Sequence, residues 1–461
     1  MKLNYKRIIL VGMAFFLISA FWQAYDAIIP LILTNHFGLP QTVSGVIMSL
    51  DNILAVFMLP IFGAISDKVN SRFGRRTPFI FIGTIVAVAA FFALSFIDNY
   101  QLSQLLAANI PNLSAEAADD FIKQTTLELT LSNPIPIIGF LATLLVVLIA
   151  MATFRSPAVA LMPDVTPKPL RSKANAVINL MGSAGGIIVL VLGMIFATSK
   201  KTYMPYIGYV AAVCAVMLLG FTIFMLFVKE KKWADEMEKQ SAEYGIEEET
   251  EVSEKHKLTS EERHSLILIL ASVALWFIGY NSITSKYSVY ASNILGFDFN
   301  LTLIVAQAAA IISYVPVGII SSRFGRKKTV LAGVLLLAAA FFIGIFITPD
   351  IPEIIMYPVF ALAGIGWATI NVNSFPMVVE LAKRGDTGKY TGYYYTASMS
   401  AQIVAPILSG FLYDLIGMRF VFFPFGVLFV ILSFATMLFV KHGDTTNIVK
   451  KSALEHLDVG D

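Results

Sequence analysis

Residues 63–78 read GAISDKVNSRFGRRTP, and residues 318–328 read GIISSRFGRKK. Both stretches begin with glycine and contain the tetrapeptide RFGR followed by a further basic residue. In the first stretch, four extra residues, 68–71, precede the shared part. Because the two copies lie about half the chain apart, they indicate a fold that is built from two related halves.

The similarity between the halves extends outward from these two stretches. Residues 21–28 (FWQAYDAI) align with residues 276–283 (WFIGYNSI). Ala152-Thr153 aligns with Ala368-Thr369, and Asp164 aligns with Glu380. The matching blocks follow the same order and are separated by gaps in loops only. Parallel halves of this kind place a substrate near the bilayer midplane, at the interface between them.

The composition indicates a membrane protein. Hydrophobic residues make up 57% of the 461 residues and charged residues only 14%, whereas a soluble domain has about 25% charged residues. The mean hydropathy is +0.74. A net charge of +2 predicts no nucleic-acid partner. The single cysteine, Cys214, excludes an internal disulfide, and the surrounding sequence predicts no metal site and no cofactor.

Apolar segments of about 20 residues are long enough to cross a bilayer as helices. Twelve segments meet this criterion: 8–34, 42–66, 78–97, 136–162, 174–198, 204–228, 264–290, 299–321, 329–348, 353–380, 389–415 and 418–440. The first is too long for a signal-peptide core and is predicted to be a retained helix. Unpaired backbone groups are costly in lipid, so the spans are predicted to be helical. The sequence predicts an all-α membrane protein with twelve transmembrane helices in two six-helix halves.

The distribution of Lys and Arg predicts the topology. Most of these residues fall in segments on one side of the predicted membrane, which is therefore the cytoplasmic side, and both termini are predicted to be cytoplasmic. We predict a location in the cell (inner or plasma) membrane. The predicted parts are an N-terminal half (1–229), a cytoplasmic linker (230–263), a C-terminal half (264–441) and a cytoplasmic tail (442–461). We interpret the charged linker as a solvated tether, with a regulatory role as the alternative.

The stretch 98–135 is an unusually long predicted outer loop. Leu102, Leu105, Leu106 and Ile110 recur at roughly helical spacing within it, which favours a short amphipathic helix in the loop.

The first quoted stretch resembles the loop 2–3 signature of the major facilitator superfamily, and residues 318–328 resemble a second copy in which Ser322 replaces the acidic residue. The four-residue insertion and the string SRFGRRTPF are similar to the sucrose and glycoside:cation symporters. So are residues 50–53 (LDNI) and 155–164 (RSPAVALMPD). The resemblance covers about residues 8–440. It implies the major facilitator fold and secondary transport, and it leaves the substrate open.

Charged residues near the loop 2–3 signature and its repeat are candidates for a cytoplasmic gate. The resemblance implies an acidic-x6-Arg element at Asp164 and Arg171. We hypothesise that ion pairs among these residues lock the cytoplasmic side in the outward-open state and break during the transport cycle. The alternative is that the basic residues only fix the orientation. The candidate gate residues are Asp67, Arg72, Arg75, Arg76, Asp164, Arg171, Arg323, Arg326, Glu380 and Arg384.

Ionisable residues inside membrane spans are rare and usually functional. Asp26, Asp51, Arg155 and Lys286 lie inside predicted spans. Asp26 is our first candidate for proton coupling and Asp51 the second, because a coupling site needs a carboxylate that can be protonated. Asp26 aligns with Asn281, so this position is ionisable in one half only. Structural hydrogen bonding is the alternative for both aspartates, and for Lys286 it is snorkelling toward the outer surface.

Aromatic and polar side chains within the spans fit a sugar, which aromatic faces and paired hydrogen bonds recognise. Amides are costly in lipid unless they face a cavity or a partner. For each aromatic residue taken singly, packing or lipid contact is the alternative. The candidate substrate-binding residues are Trp22, Tyr25, Asn52, Arg155, Trp276, Tyr280, Asn281, Gln307, Trp367, Asn371, Asn373 and Gln402.

These features predict a secondary transporter that imports a glycoside, a disaccharide or short oligosaccharide, by proton symport. The alternatives are a Na⁺-coupled sugar symporter, a drug or metabolite:proton antiporter of the same fold, and a membrane sensor without transport activity. The sequence has no catalytic constellation and no phosphate-binding GxxxxGK(S/T) loop, so we predict neither an enzyme nor an ATP-driven pump. The expected partners are a sugar and the lipid bilayer, and we expect a monomer.

Overall fold

The computed structural model describes residues 3–113, 119–199, 202–243, 259–381 and 387–443, and no strand occurs in these ranges. The helices of the first half and the linker are α1 (Tyr5–Leu31), α2 (Gln41–Lys68), α3 (Thr77–Ala107), α4 (Ile110–Leu113), α5 (Asp119–Ser132), α6 (Ile135–Asp164), α7 (Arg171–Ile195), α8 (Ile207–Phe227) and α9 (Glu230–Glu243). Those of the second half are α10 (Ser260–Thr284), α11 (Tyr287–Val289), α12 (Phe299–Phe324), α13 (Arg326–Ile345), α14 (Met356–Glu380), α15 (Thr387–Ile416) and α16 (Met418–Leu438).

Twelve of the described helices are long and apolar enough to span a membrane, which confirms the predicted number. They are α1, α2, α3, α6, α7 and α8 in the first half and α10 and α12 to α16 in the second. We call the end of the bundle that holds loop 2–3 (residues 69–76) the predicted cytoplasmic end. The opposite end is the predicted outer end.

The two halves pack their helices by the same scheme. In the first half α1 packs on α7 and α8, and α3 packs on α6. In the second half α10 packs on α15 and α16, and α13 packs on α14. These are corresponding helices of the two halves. The repeat that the sequence shows in short motifs is therefore a repeat of helix packing.

The first helix of each half ends in a π-helical turn at the predicted outer end. These turns are Ile32–His36, which continues α1, and Tyr290–Leu295, which follows α11. Asn35 and Asn293 lie in them and exchange two hydrogen bonds, with N···O distances of 2.7 and 3.3 Å. The related turns of the two halves therefore contact each other directly.

Helices α2 and α15 hold the halves together at the same end. The Asp414 carboxylate accepts hydrogen bonds from the backbone N–H groups of Gln41 and Thr42, both at 2.7 Å, and from the Thr42 hydroxyl at 2.6 Å. A carboxylate at a helix N-terminus pairs with unsatisfied N–H groups and the positive end of the helix dipole. A side chain at Gly45 would collide with the Pro406 carbonyl oxygen, so the backbones approach closely here.

Helices α7 and α12 make a third contact between the halves, next to the other two. The Ser199 hydroxyl donates to Asp298 at 2.8 Å, and the Asn300 amide donates to the Thr198 hydroxyl at 3.0 Å. Three pairs of elements thus join the halves at the predicted outer end. The bundle is therefore closed on that side.

The structure corrects the interpretation of stretch 98–135. Helix α3 continues to Ala107, so Leu102 and Leu105 belong to the extended membrane helix. Two separate helices follow, the four-residue α4, which begins at Ile110, and α5 (Asp119–Ser132), and Ile122 on α5 packs with Leu105 and Ile110. No Pro or Gly interrupts residues 98–107, which explains why the helix of the span persists beyond the apolar segment.

The start of the linker is a folded element, and the tether interpretation is wrong for this part. Glu230, 2% exposed, accepts hydrogen bonds from the backbone N–H groups of Arg75, Arg76 and Thr77 at 2.7–2.8 Å and from the Thr77 hydroxyl at 2.6 Å. The linker carboxylate therefore caps α3. Gly74 has a φ of +118°, and a side chain there would collide with Glu230.

Two further contacts dock α9 on the first half. The Arg7 guanidinium lies 5.4 Å from the ring centre of Trp233, which is 7% exposed, and forms a 2.6 Å ion pair with Glu236. Linker residues 244–258 and tail residues 444–461 lie outside the described residues.

Candidate functional site

Asp26 lies near residues of both halves, Asp51 and Tyr280. It is exposed to solvent, although Tyr25 and Ala27 beside it are each only 1% exposed. Asp26 also lies within range of electrostatic interaction with Asp51 on α2. Both candidate coupling residues therefore belong to one region between α1 and α2, where two ionised carboxylates would repel each other.

Arg155 and Asn52 surround the second of these carboxylates. The Asn52 amide donates to Asp51 at 2.9 Å, and Arg155 on α6 interacts electrostatically with Asp51. All three side chains are partly accessible. Arg155 therefore interacts with Asp51, the second candidate for proton coupling.

Aromatic side chains from both halves lie beside Asp26. Trp22 and Tyr25 on α1 make an edge-to-face contact with ring centres 5.4 Å apart. In the second half, Tyr280 and Trp367 stack at 6.1 Å, and Tyr280 lies within electrostatic range of Asp26. The aligned positions Tyr25 and Tyr280 thus both lie near the residue that is charged in one half only.

Several polar atoms in this region are buried without a hydrogen-bond partner in the protein. They include Trp22 Nε1, the Tyr25 hydroxyl and Gln307 Oε1. Buried polar atoms are normally paired, so a cluster of unpaired ones indicates a place for a polar ligand or water. Tyr25 is only 1% exposed, so its contact with a substrate stays a prediction.

Gln23 is a residue of this region that the sequence analysis missed. Its carbonyl oxygen accepts a 2.9 Å hydrogen bond from Gln307 on α12, which joins the two halves. Gly186 on α7 lies against both amides. The sequence did contain a signal for Gln23. Its amide lies inside a predicted span, and the residue that aligns with it in the second half, Ile278, is apolar.

Some candidate substrate residues have other contacts. Asn373 is 1% exposed, accepts from Ser321 and donates to the Thr369 carbonyl at 2.9 Å. Because both ends of its amide are bonded, Asn373 holds α12 to α14, and the structure contradicts its assignment to the substrate. Trp276 is fully buried and stacks on Phe277 at 3.9 Å, and its Nε1 is buried without a hydrogen-bond partner, so its assignment to the substrate stays a prediction.

Three other predicted amides are half-buried. The Asn281 and Gln402 side chains bond to backbone carbonyls of their own helices, at 2.8 and 3.4 Å, and Asn371 is likewise partly accessible. Their assignment to a substrate stays a prediction.

The predicted cytoplasmic charges form ion pairs within each half. Arg76 contacts Asp67 at 2.5 Å and Asp164 at 2.8 Å, and Arg75 contacts Asp164 at 3.0 Å. Burial lowers the pKa of Arg76, but hydrogen bonds and charge from Asp164 and Asp67 outweigh it and raise the pKa above its usual value. In the second half, Arg326 pairs with Glu380.

These ion pairs are intact in a structure whose halves touch at the predicted outer end. The hypothesis required them to break as the outer side closes, and this structure disagrees on that point. Each pair joins helices of one half, so its formation does not depend on how the halves are tilted. A role in organising each half fits the geometry.

The other candidate gate residues have local contacts. Arg171 donates to the carbonyls of Pro163 and Thr166 at 3.1 and 3.2 Å, which satisfies the end of α6. Arg72 and Arg323 each lie over the phenylalanine that follows them in the repeated motif, at 4.7 and 5.5 Å. Arg384 lies outside the described residues.

Lys286 is fully buried and donates to the Ser44 hydroxyl on the other half, within electrostatic range of Asp414. The snorkelling alternative is therefore wrong, and Lys286 belongs to the contact at the predicted outer end. In the described parts of the chain, no cluster of three or more His, Cys, Asp or Glu residues could hold a metal ion.

A family model described as Major Facilitator Superfamily matches residues 11–398 and 299–457. The chain belongs to this superfamily. It is 28% identical over 194 residues to Sucrose transport protein SUC3 of Arabidopsis thaliana, covering 41% of this chain and 30% of that protein. A 64-residue segment is 38% identical to Proton-associated sugar transporter A of Homo sapiens, covering 14% of this chain and 8% of that protein. The matched segments thus span less than a third of these relatives' length.

Solved structures match over nearly the whole chain. The inward-open xylose transporter XylE from E. coli has a TM-score of 0.62 at 16% identity, covering 98% of this chain and 99% of that one. A bacterial homologue of the iron transporter ferroportin, in an inward-facing state, has a TM-score of 0.64 at 13% identity, covering 95% and 99%. At these identities the likeness concerns the fold. Together with the family, it identifies a multi-pass membrane transporter rather than an enzyme.

Proposed function

We propose that this transporter imports a glycoside, a disaccharide or short oligosaccharide, by proton symport with alternating access. The observation that carries the proposal is the placement of Asp26: a solvent-accessible carboxylate inside the bundle, within electrostatic range of Tyr280, which stacks on Trp367 of the opposite half. A substrate that contacts both groups bridges the two halves. Its binding can therefore be coupled to their relative movement.

The side chains around Asp26 favour a sugar. Aromatic faces from both halves suit the C–H surfaces of a sugar ring, and the unpaired polar atoms of Trp22, Tyr25 and Gln307 suit its hydroxyl groups. The partial sequence similarity to proteins named as sugar transporters supports the same class. The length of the sugar, a disaccharide or short oligosaccharide, is likewise proposed.

The coupling step uses the two carboxylates. Asp26 takes a proton from the predicted outer side, which removes its repulsion with Asp51 and prepares the cavity for a neutral polar substrate. The Asn52 amide donates a hydrogen bond to the Asp51 carboxylate, and Arg155 lies within electrostatic range of it, so both side chains favour a negative charge at this position. After the halves rock and the cytoplasmic side opens, Asp26 releases the proton and the sugar leaves.

Coupling to Na⁺ is the second candidate, because two nearby carboxylates and the Asn52 side chain also offer oxygen ligands to a cation. Exchanging Na⁺ for K⁺ at constant pH separates the two mechanisms. Loss of accumulation in K⁺ supports Na⁺, and loss on adding a protonophore in either salt supports the proton.

The test is uptake of a panel of labelled disaccharides, with and without a protonophore, in wild type and Asp26→Asn. We expect uptake of at least one disaccharide, its collapse on adding the protonophore, and loss of accumulation in Asp26→Asn. Asp119→Asn, an exposed carboxylate on α5, is the matched control and retains uptake. Protonophore-insensitive uptake with Asp26→Asn unimpaired contradicts the proposed coupling.

A further inference from the structure

A groove of about 590 Å³ lies at the predicted cytoplasmic end, between loop 2–3, the end of α8 and the linker helix α9. Five basic side chains line it: Arg72, Lys229, Lys231, Lys232 and Lys239. All five are exposed. None of them takes part in the proposed transport site, so the groove is a separate feature of the molecule.

The charge balance of this basic groove favours an anionic occupant. Its acidic lining residues are Asp235 and Glu236, and Glu236 is already paired with Arg7 at 2.6 Å. Lys232 lies 3.8 Å from Glu236, a weaker contact at the surface. Five positive charges against two negative ones, one of them engaged elsewhere, leave the groove strongly positive.

The position of the basic groove relative to the membrane indicates which anion it meets. Helix α8 leaves the predicted membrane at Phe227 and α3 enters it at Thr77, so the groove lies at the level of lipid headgroups. Next to it, Leu226, Phe227 and Phe73 are 67%, 56% and 52% exposed. Exposed apolar side chains at this depth fit acyl chains, and clustered Lys and Arg beside a membrane span fit anionic headgroups.

The walls of the basic groove are fixed by buried contacts. Glu230 binds the backbone of loop 2–3 and also begins α9, while Trp233 packs under Arg7. The backbone of loop 2–3, which carries Arg72, is therefore held next to the start of α9. This distinguishes the groove from basic residues that only fix the orientation of the chain.

We propose that the basic groove binds the phosphate-bearing headgroup of an anionic phospholipid, which bridges Arg72 of loop 2–3 to the lysines of α9. The bound lipid adds a second clamp to the one that Glu230 supplies, and it strengthens the docking of the linker helix on the first half. An anionic bilayer then stabilises this transporter, whatever sugar it carries.

The experiment compares the full chain in nanodiscs of phosphatidylcholine with nanodiscs in which about one third of the lipid is phosphatidylglycerol. Thermal unfolding gives the stabilisation, and native mass spectrometry counts the phosphatidylglycerol retained after extraction. We expect a higher Tm and retained phosphatidylglycerol for wild type. In the triple variant Lys231→Gln, Lys232→Gln, Lys239→Gln, we expect affinity for the lipid to fall about tenfold to hundredfold.

The matched control is Lys68→Gln, Lys328→Gln, Lys441→Gln, which removes three exposed charges from the same end but outside the groove. It should retain the lipid, as should the charge-preserving variant Lys231→Arg, Lys232→Arg, Lys239→Arg, which also controls for folding. Equal lipid retention by the groove and control variants overturns the proposal. Equal stabilisation of wild type by free glycerol phosphate overturns the assignment to a lipid.

Discussion

The two ends of the bundle use polar contacts differently. At the predicted outer end, Asp414, Asn35 and Lys286 bind partners on the opposite half. At the predicted cytoplasmic end, the ion pairs of Arg76 and Arg326 stay within one half. Contacts across the halves must break when the outer side opens, whereas contacts within a half can persist through the cycle. The contacts across the halves should therefore control the conformational equilibrium. The contacts within a half should control the stability of that half.

The largest expected effect comes from Glu230, which acts within the first half. Glu230→Gln weakens the hydrogen bonds to the backbone of loop 2–3 in a buried place, at a cost of about 2 kcal/mol, which corresponds to a fall in Tm of about 2 °C for a chain of this length. Thermal unfolding of the purified protein measures this. Glu238→Gln, an exposed carboxylate on the same helix, should leave Tm unchanged. If Glu230→Gln changed the distance between the two halves, a contact within one half would also control the conformational equilibrium, and the comparison would fail.

A smaller effect, of a different kind, is expected at Asp414. Asp414→Ala removes the cap on α2 that crosses the halves, at about 1 kcal/mol, so the population that is open at the outer end should rise about fivefold. Spin labels on Asn109→Cys and Asp350→Cys, in a Cys214→Ser background, report the distance across the outer loops. An unchanged distance distribution would show that the cap does not hold this end closed.

The smallest expected effect concerns the paired amides of the two π-helical turns. Asn35→Ala and Asn293→Ala should each shift the same equilibrium by up to about 1 kcal/mol. Because the two side chains bond to each other, the double variant should match either single one. The same spin-label pair measures all three variants. Additive shifts would mean that each asparagine acts through a different partner.

Much of the fold could be predicted from the sequence. The twelve spans follow from the length of the apolar segments, and the two halves follow from the RFGR repeat. The sequence also singled out Asp26 and Tyr280 as candidates, because an ionisable residue in a span is rare and both residues lie in the repeated block. These signals are local in sequence or depend on symmetry between the halves.

What the sequence did not reveal depends on contacts between distant segments. Glu230 lies in a charged linker that reads as solvated, and its burial follows from the backbone N–H groups at the start of α3, 153 to 155 positions away. Lys286 looked able to reach the surface, but Ser44 of the other half binds it. The amide of Asn373 resembled a ligand and proved to join two helices. In each case the partner decides the role.

The most direct test of the account compares two modes of transport by Asp26→Asn in proteoliposomes, with the disaccharide that the uptake panel identifies. Exchange of labelled for unlabelled sugar needs alternating access only, whereas accumulation driven by a pH gradient also needs proton coupling. We predict that wild type performs both and that Asp26→Asn retains exchange but loses accumulation. Accumulation by Asp26→Asn at the wild-type level would contradict the assignment of Asp26 as the coupling residue.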